Sequence, residues 1–532
     1  MEDSPPSELE FRVGQRVHAS GDSRRIGTVK YVGPVEGHPG TWVGVDWDNG
    51  DGKHDGSIKG IRYFRAKSER SGSFVRPQNL SLGISLVEAL EIRYRGDSTK
   101  DEEDEMYVLS ASSRRVSIQL VGKDKVQDKL SRFEELTRAS LSYMGVSSPG
   151  IPCHINTTVP NMKELDLTGN LLSEWKDVGA ICEQLPLLGT LNLSNNFMSP
   201  YTSGLPLLKN IHVLVLNSTA VDWVQVQLLG QSLPTLEELH LMRNNISRIL
   251  PTSSTVVQGF DSLRLLNLDN NCIAEWEEIM KLCQLRSLEQ LYLNKNCLNG
   301  INYPDHAGKY ESEVTCHRPF ENLRCLLLGG NNIRDLASVD SLNLFPKLVD
   351  VRLSENLITD PARGGVPRFI LIARLAKIQI LNGSEISPRE RKDSEIRYVR
   401  LVLSRLLANP EEIKQHPRFS ELKKFYGIEE ERTSTGTSGP QTMASGLLSI
   451  TLKCVGPSMG EKPPLTKKLP AATTVGKLKL LCESFFKLQS VKLKLYLQEE
   501  GSPLPLLLDN DMASLFDFGI GNESIILVDE ES

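Results

Sequence analysis

A short pattern of leucines ending in asparagine recurs through the middle of the chain and constrains the fold more than any other feature. The pattern is L-x-x-L-x-L-x-x-N, and its eight copies begin at Met162, Leu188, Ile211, Leu236, Leu263, Leu288, Leu323 and Leu348. Successive copies start 26, 23, 25, 27, 25, 35 and 25 residues apart. One copy is too small to bury its own leucines, so we predict that the copies stack into a solenoid with a continuous core.

Seven of the eight copies end in asparagine, and the third has Thr219 in its place. Such an array is typical of leucine-rich repeats, in which each copy gives a short strand and the asparagine amide bonds the backbone of the following turn. The step of 35 residues contains an insertion at 301–319, which is either a contact loop or an ornament. The segment Ile378–Arg400 resembles the closing cap of such arrays, and we expect a polar helix from Ser394 to Leu407.

Residues between the strand leucines are predicted to face the concave side, where leucine-rich repeats present variable side chains. The candidates for contact with a protein partner are Asp166, Asn192, His240, Asn267, Tyr292 and Arg352. Two positions further along lie Thr168, Ser194, Met242, Asp269, Asn294 and Ser354. This mixture of polar groups with an occasional aromatic side chain favours protein binding and shows no catalytic constellation.

The N-terminal part holds a polar, glycine-rich loop that runs into aromatic residues, "GKHDGSIKGIRYF", from Gly52 to Phe64. A phosphate-binding loop would need serine or threonine after the lysine and then a helix. Here His54 follows Lys53, and the next residues are typical of a strand. Short strands punctuated by glycines precede the loop and predict a small all-β barrel.

Several motifs of this region resemble the CAP-Gly family in their order and spacing: "IGTVKYVG", "GTWVGVDWD", "GKHDGSIKGIRYF" and "GSFVRP". The resemblance covers about Phe11 to Leu82. It implies a groove for the acidic, aromatic-ended tails of α-tubulin and of microtubule-end proteins. The residues from Glu8 to Leu82 agree with an acidic ligand, since they include twelve Lys/Arg and nine Asp/Glu.

By position, the resemblance implies that Lys53 and His54 grip the terminal residues of the peptide. The groove and its loop would then comprise Trp42, Gly52, Lys53, His54, Asp55, Gly56, Phe74 and Arg76. The family loop usually has asparagine where this chain has His54, which predicts weaker or pH-dependent binding. The plainer interpretation is that Gly52–Gly56 is only a turn of the barrel. We expect Trp47 and Tyr63 to belong to the core.

The C-terminal part resembles ubiquitin from about residue 446 to 531. A strand from Leu448, a helix from Val475 capped by Thr474, and two further strands follow one another in the order of a β-grasp fold. The chain ends in "VDEES" without a Gly-Gly pair, so we expect a fixed interaction domain. Its role is either docking and stability or recognition by ubiquitin receptors such as the proteasome.

Composition excludes several other classes of protein. A net charge of −6 argues against nucleic acid as the main partner, and no apolar run has the length of a membrane span. The acidic N-terminus has no apolar stretch typical of a signal peptide. Nine scattered cysteines without a CxxC pair predict reduced thiols and neither a metal site nor a cofactor. Cys454 and Cys482 fall in a predicted strand and helix, which disfavours an enzyme of ubiquitin transfer.

The sequence therefore predicts a multidomain protein with an all-β barrel, an α/β solenoid and an α+β ubiquitin-like domain. The predicted divisions are 8–90 (CAP-Gly), 91–150 (acidic linker and solenoid flank), 151–377 (repeats), 378–432 (cap and helix), 433–446 (flexible linker) and 447–532 (ubiquitin-like).

This domain order resembles the tubulin-folding cofactors. The resemblance implies a cytoplasmic, cytoskeleton-associated chaperone that captures α-tubulin by its tail and its folded body. It also implies contact with β-tubulin through other cofactors, and dissociation of the αβ dimer with partner cofactors. The alternative is a scaffold at microtubule plus ends or in motor complexes, without chaperone activity.

Overall fold

A computed structural model describes most of the chain. The described residues are 10–95, 107–109, 115–117, 131–200, 207–249, 257, 259–303, 318–360, 363, 365–408, 410–428, 447–456, 460, 462–470, 472–488, 492–498, 505–509, 511–515, 518, 520–521 and 523–530. Two compact units are present, one formed by 1–272 with 278–288 and the other by 273–277 with 289–532. The predicted linkers Asp97–Met106 and Thr433–Gly446 lie outside the described residues, as do residues 304–317 of the insertion.

The first unit begins with a small antiparallel barrel. Its strands are β1 (Arg16–Ala19), β2 (Asp22–Val35), β3 (His38–Trp47), β4 (Ser57–Ile58), β5 (Ile61–Arg62), β6 (Gly72–Val75) and β7 (Leu80–Ser81). The main sheet has the order β6-β3-β2-β1-β7, and β4 pairs with β5. Valines at alternate positions of β2 and β3 fill the interior together with Trp47, which is 2% exposed. The prediction that Trp47 belongs to the core is confirmed.

The repeats of the first unit follow directly. Their elements are β8 (Ile84–Ser85), α1 (Leu86–Tyr94), β9 (Tyr107–Leu109), β10 (Arg115–Ser117), β11 (Arg138–Ser140), β12 (Val146–Ser148), α2 (His154–Thr158), β13 (Glu164–Asp166), α3 (Trp175–Glu183), β14 (Thr190–Asn192), β15 (Val213–Val215), α4 (Trp223–Gly230), β16 (Glu238–His240) and β17 (Leu265–Asn267). Strands β11 and β13 to β17 pair in parallel, each with the next. Their central leucines face one another across the register, from Leu165 to Leu266, and form the core.

Buried asparagine side chains join each repeat to its neighbour. Asn196 donates to the carbonyls of Leu167 and Leu193, at 2.8 and 3.0 Å, and accepts the N–H of Asn170 at 3.2 Å. The same donation to two successive repeats recurs at Asn170 and Asn271. Each amide therefore satisfies backbone groups that the turn leaves without a partner in the core. The predicted role of these asparagines is confirmed.

The second unit continues with helix α5 (Trp276–Met280), which it shares with the first unit along the sequence. Its remaining repeat and cap elements are β18 (Gln290–Tyr292), β19 (Cys325–Leu327), α6 (Leu336–Ser341), β20 (Asp350–Arg352), α7 (Arg368–Arg374), β21 (Ile380–Leu381), β22 (Ser384–Glu385), α8 (Pro388–Ala408) and α9 (Phe419–Tyr426). Strands β18 to β21 are parallel, and β22 turns back antiparallel to β21. Short 3-10 helices lie at 77–79, 133–135, 342–344, 357–359 and 410–415.

The closing cap differs from the prediction in the extent of its helix. We predicted a start near Ser394, but α8 begins at Pro388. The N–H of Glu390 donates to the Ser387 hydroxyl, as at a helix N-terminus, and proline is well suited to a first turn. The helix therefore begins six residues earlier than predicted. Arg391, one of these added residues, donates to the carbonyl of Leu375 and attaches the first turn to the last repeat.

The C-terminal domain of this unit has the predicted β-grasp order. Its elements are β23 (Leu447–Cys454), β24 (Leu465–Pro470), α10 (Val475–Phe486), β25 (Leu493–Gln498), β26 (Leu506–Leu507) and β27 (Ser524–Glu530), in the sheet order β24-β23-β27-β25-β26. The Thr474 side chain accepts the N–H of Lys477, which confirms the predicted cap. The predicted fold class is therefore confirmed: a multidomain protein with an all-β barrel, an α/β solenoid and an α+β ubiquitin-like domain.

We expect the asparagine contacts to dominate the stability of the repeats. In Asn196→Ala, the N–H of Asn170 loses its acceptor in the core, and the repeats should lose about 2 kcal/mol of unfolding free energy. The carbonyls of Leu167 and Leu193 each keep a second donor, the Asn170 amide and the backbone N–H of residue 196. Thr219 bonds only its own repeat's Leu216 carbonyl and the Asn244 side chain, so Thr219→Val should cost about 1 kcal/mol. Urea unfolding followed by amide exchange in the affected strands checks both values. Equal costs for the two variants would contradict this account.

Candidate peptide-binding site

The glycine-rich loop is clamped to strand β6 by its backbone. The N–H groups of Lys53 and His54 both donate to the Gly72 carbonyl, at 2.7 and 3.1 Å, and the Gly72 N–H donates back to His54 at 2.8 Å. A Cβ atom on Gly52 would lie 2.3 Å from the carbonyl carbon of Ser71, so only glycine permits this approach. The loop therefore holds Lys53 and His54 at a fixed place beside β6.

An aromatic cluster surrounds Phe74 on the same side of the barrel. Phe74 and Tyr31 flank Gly44, which is paired with both in the sheet. Rings of Tyr63 and Phe64 each lie 5.4 Å from the Phe74 ring, centroid to centroid, and the Tyr31 ring lies at 6.0 Å. These edge-to-face contacts orient the rings. Gly44 lets the buried Phe64 ring pack directly against β3, since a Cβ there would lie 2.5 Å from that ring.

Trp42 and Arg76 lie next to this cluster. Trp42 is two residues from Gly44 along β3, and Arg76 is two residues from Phe74, so all four positions share one face of the sheet. The Arg76 guanidinium stacks on the Trp42 ring at 3.8 Å and donates to the Thr41 carbonyl at 3.3 Å. Stacking holds the guanidinium flat while its remaining N–H groups stay directed outward for a carboxylate.

The histidine of the loop takes over the hydrogen bond that an asparagine side chain could make. Its Nδ1 accepts the N–H of Gly56 at 3.0 Å, so the neutral ring carries its proton on Nε2 as a donor. The ring lies 5.1 Å from Phe74 and is tilted 34° to it. Burial lowers the pKa of His54 below its ordinary value of 6.5, with Asp55 acting against the shift and Lys53 with it.

Asp55 is occupied within the loop. Its carboxylate forms an ion pair with Arg62 at 2.7 Å and accepts the N–H of Ser57 at 3.1 Å. The hydrogen bond from Arg62 is the main reason that the pKa of Asp55 is lowered. Asp55 therefore shapes the turn, and Arg62 offsets the negative charge that it would otherwise present to an acidic peptide.

The structure thus brings Trp42, Lys53, His54, Phe74 and Arg76 to one region of the barrel. Sequence reasoning missed Tyr31 and Phe64 and placed Tyr63 in the core. Tyr63 is only partly buried, and its hydroxyl accepts the N–H of Glu36 at 2.9 Å. The pairing of Tyr31 and Phe74 with a glycine between them was the available signal. That these residues bind a peptide remains a prediction.

The predicted concave residues of the first unit are largely engaged with one another. Asp166 accepts hydrogen bonds from the hydroxyls of Ser140, Ser142 and Thr168. Burial opposes its ionisation, but these bonds prevail and lower its pKa. Asn192 accepts the hydroxyl and N–H of Ser194.

The other concave candidates also have close neighbours. His240 lies 3.6 Å from a carboxylate oxygen of Glu238 and 3.5 Å from the amide nitrogen of Asn267. In the second unit, the Tyr292 hydroxyl donates to Gln290 at 2.7 Å, and Arg352 donates to Ser354 at 2.9 Å. All six candidates lie on strands at equivalent positions. Their contact with a partner stays a prediction.

No metal cluster marks the parts of the chain that the structure describes, and both cysteines of the ubiquitin-like domain have raised pKa values. Those parts contain no group of three or more His, Cys, Asp or Glu side chains placed to hold a metal ion. Cys482 is fully buried in α10, and burial raises its pKa to about 12. Burial also raises the pKa of Cys454, which is partly exposed. Within the same residues, no helix combines the length and apolarity needed to cross a membrane.

Comparison with known proteins gives matches over one module and over the whole length. Residues 13–80 match the family model of the CAP-Gly domain. The chain is 64% identical over 524 residues to "Tubulin-folding cofactor E" of Arabidopsis thaliana, covering 98% of each protein. It is 34% identical to "Tubulin-specific chaperone E" of Danio rerio, covering 98% of this chain and 99% of that protein. The solution structure of the C-terminal ubiquitin-like domain of mouse tubulin-specific chaperone e is 30% identical in sequence. The match covers 18% of this chain and 96% of that domain, with a TM-score of 0.15.

The barrel and its groove therefore define a CAP-Gly protein, one that carries this module in front of leucine-rich repeats and a ubiquitin-like fold. Relatives match it from end to end. The chain belongs to the tubulin-folding cofactor E family, whose members are also named tubulin-specific chaperone E.

We expect the loop to loosen in acid through His54. Because its pKa in the folded protein lies below 6.5, the folded state favours the neutral ring, and this contribution to stability is lost as the pH falls below 6.5. Protonated Nδ1 can no longer accept the Gly56 N–H. The protection factor at Gly56, which is the ratio of the intrinsic to the measured exchange rate at each pH, should therefore fall with a midpoint below pH 6.5. His54→Asn should abolish this step, since its amide oxygen can accept the same N–H. A pH step that persists in that variant would contradict the assignment.

Proposed function

We propose that this protein is a tubulin-folding cofactor that captures α-tubulin, assists assembly of the αβ heterodimer and, with partner cofactors, dissociates it. It would thereby control the supply of subunits to microtubules. This activity belongs to the cytoplasm and to the cytoskeleton, and it requires no chemical step. Its full-length similarity to relatives named for tubulin folding supports the proposal.

One observation carries the proposal: a cluster of aromatic side chains lies beside two cationic groups. The rings of Tyr31, Tyr63 and Phe64 surround Phe74 in edge-to-face contact. Arg76 and Lys53 lie at the border of this cluster, and the carboxylate of Asp55 is paired with Arg62. An aromatic end with acidic residues before it satisfies both features. We therefore assign the acidic-aromatic tail of α-tubulin to this groove.

The repeats would supply the second contact, with the folded body of α-tubulin. Side chains at equivalent strand positions form one continuous face in each unit, and their hydrogen bonds to neighbours hold them in place. Such preorganised polar surfaces lose little side-chain entropy on binding. To separate a dimer, this face must bind free α-tubulin more tightly than it binds the heterodimer.

The ubiquitin-like domain would recruit partners, with β-tubulin reached through other cofactors. The outer face of its sheet carries Tyr496 and Leu527, which lie opposite each other in the register, next to the exposed Ile525. An apolar centre on a β-grasp sheet suits docking to a receptor for ubiquitin, such as the proteasome. We propose docking as its role, with the proteasome as one candidate receptor.

Calorimetry of the full chain with an α-tubulin tail peptide ending in tyrosine tests the groove. Lys53→Ala and Arg76→Gln each remove a cation from its border, and each should weaken binding at least tenfold, about 1.4 kcal/mol. A peptide without the final tyrosine should bind similarly weakly, because it has no aromatic ring to pack on the cluster around Phe74. Lys477→Ala, at an exposed position of α10 in the other unit, serves as a control for loss of a surface lysine. Binding that is unchanged by all three alterations would refute this assignment.

Co-sedimentation distinguishes a chaperone from a scaffold of the microtubule lattice. A cofactor that binds free α-tubulin should remain in the supernatant and shift tubulin out of the pellet as its concentration rises. A plus-end or motor-complex scaffold should itself pellet with the polymer. Pelleting with no loss of polymer would favour the scaffold and overturn the chaperone proposal.

A further inference from the structure

The CAP-Gly barrel joins the repeats without a flexible connection. Only Leu82 and Gly83 separate β7 of the barrel from β8, and β8 pairs in parallel with β12 of the repeats. The Ile84 N–H donates to the Gly145 carbonyl at 2.9 Å. Gly145 also lies against the barrel, since a Cβ there would be 2.8 Å from Nε2 of His18. The acidic segment Asp97–Met106, which lies outside the described residues, comes after these contacts in the sequence.

Helix α1 extends the same attachment. Its buried face contains Leu86, Val87 and Leu90, and it packs against β12 and α2. The sequence predicts that the barrel domain extends to residue 90. Because β8 and α1 pack on the repeats, the junction of the two modules lies at Leu82–Gly83.

Two aromatic side chains of the repeats meet cations of the barrel. The Tyr143 ring lies under the guanidinium of Arg24, 5.6 Å from its carbon, and accepts a hydrogen bond from Asn195 on its hydroxyl at 3.3 Å. Gly169 makes room for this ring, because a Cβ there would lie 2.2 Å from it. Tyr143 is therefore held between the barrel on one side and the first repeat on the other.

Phe197 forms the second contact, at the end of the next repeat. The guanidinium of Arg16 lies 5.5 Å from its ring centroid, and the ammonium of Lys67 lies at 5.8 Å. Arg16 is nearly fully buried and pairs with Asp48, so its position is fixed. Phe197 itself is 44% exposed, an unusual position for a large apolar side chain unless it makes a contact of this kind.

We propose that Tyr143 and Phe197 are positioning residues that fix the CAP-Gly groove relative to the first repeats. Groove and repeats then bind one tubulin subunit as a single preformed surface. This inference rests on the proposed function, in which the groove takes the tail and the repeats take the body. Because the two contacts are held in place, the second is made without the ordering cost that a flexible linker would add.

The alternative is that these contacts only stabilise the chain. A purely structural role would change stability but would leave the affinity for tubulin unchanged in the folded fraction. A positioning role predicts a split, in which affinity for whole tubulin falls while affinity for the isolated tail peptide does not. The peptide needs only the groove, and neither Tyr143 nor Phe197 belongs to it.

The test uses the full chain and its Phe197→Ala variant. Amide exchange at Ile84, whose N–H bonds Gly145 across the junction, should rise about tenfold. Affinity for tubulin should fall about tenfold, and affinity for the tail peptide should stay within twofold. Phe197→Tyr keeps a ring under the cations and should restore all three values. Phe425→Ala removes an aromatic side chain that is 77% exposed in the other unit, and it should change none of them.

Arg24→Gln gives an independent variant, because Arg24 is exposed and its replacement should leave folding intact. It removes the cation from Tyr143 and should produce the same split, with a smaller effect. Unchanged exchange at Ile84 in both variants would overturn the proposed junction. Raised exchange with unchanged affinity for tubulin would overturn the positioning role. If the unaltered chain binds no tail peptide, the proposed function fails, and the exchange measurement still decides whether the junction holds.

Discussion

The buried asparagine amide is the interaction on which the rest of the structure depends. Each amide bonds backbone groups of two successive repeats, so a turn in one repeat is specified by the next. The series also reaches the junction with the barrel. Asn170 accepts the N–H of Val146 at 2.8 Å, Val146 lies in β12, and β12 pairs with β8. A network that builds the solenoid core thus also fixes the strand that follows the CAP-Gly barrel, and through it the direction of the groove.

The groove depends on two glycines, which have no side chain, as well as on its aromatic and charged residues. Gly44, which pairs with Tyr31 and Phe74, lets the Phe64 ring pack against β3, and Gly52 lets the loop reach β6. The polar groups then divide by role. Arg62 forms an ion pair with Asp55, and the Gly56 N–H donates to Nδ1 of His54. The Arg76 guanidinium stacks on the Trp42 ring. Positive charge and a donor are left at the border, which is an arrangement suited to a chain end with carboxylates.

Features fixed by local pattern could be predicted from the sequence, and features fixed by packing between distant segments could not. The repeats, the Thr474 cap and the buried Trp47 follow from spacing, capping chemistry and alternation. Tyr31 enters the cluster only because β2 and β3 pair in one register, and Tyr143 meets Arg24 across more than a hundred residues. The pairing of β8 with β12, which begins the contact with the repeats at Ile84, likewise joins segments more than sixty residues apart and has no local signal in the sequence.

Among the described residues of the first seven copies, helices follow alternate copies. Helices α3, α4 and α5 begin at a buried tryptophan, Trp175, Trp223 or Trp276, and α6 has Leu336 there. They follow the first, third, fifth and seventh copies, whose steps are 26, 25, 25 and 25 residues. The alternate steps, of 23, 27 and 35 residues, contain no helix within their described parts. A helix anchored by an indole must close on the core with a fixed length, whereas an irregular connection tolerates change. The insertion at 301–319 falls in the step of 35 residues, which is one of these alternate steps.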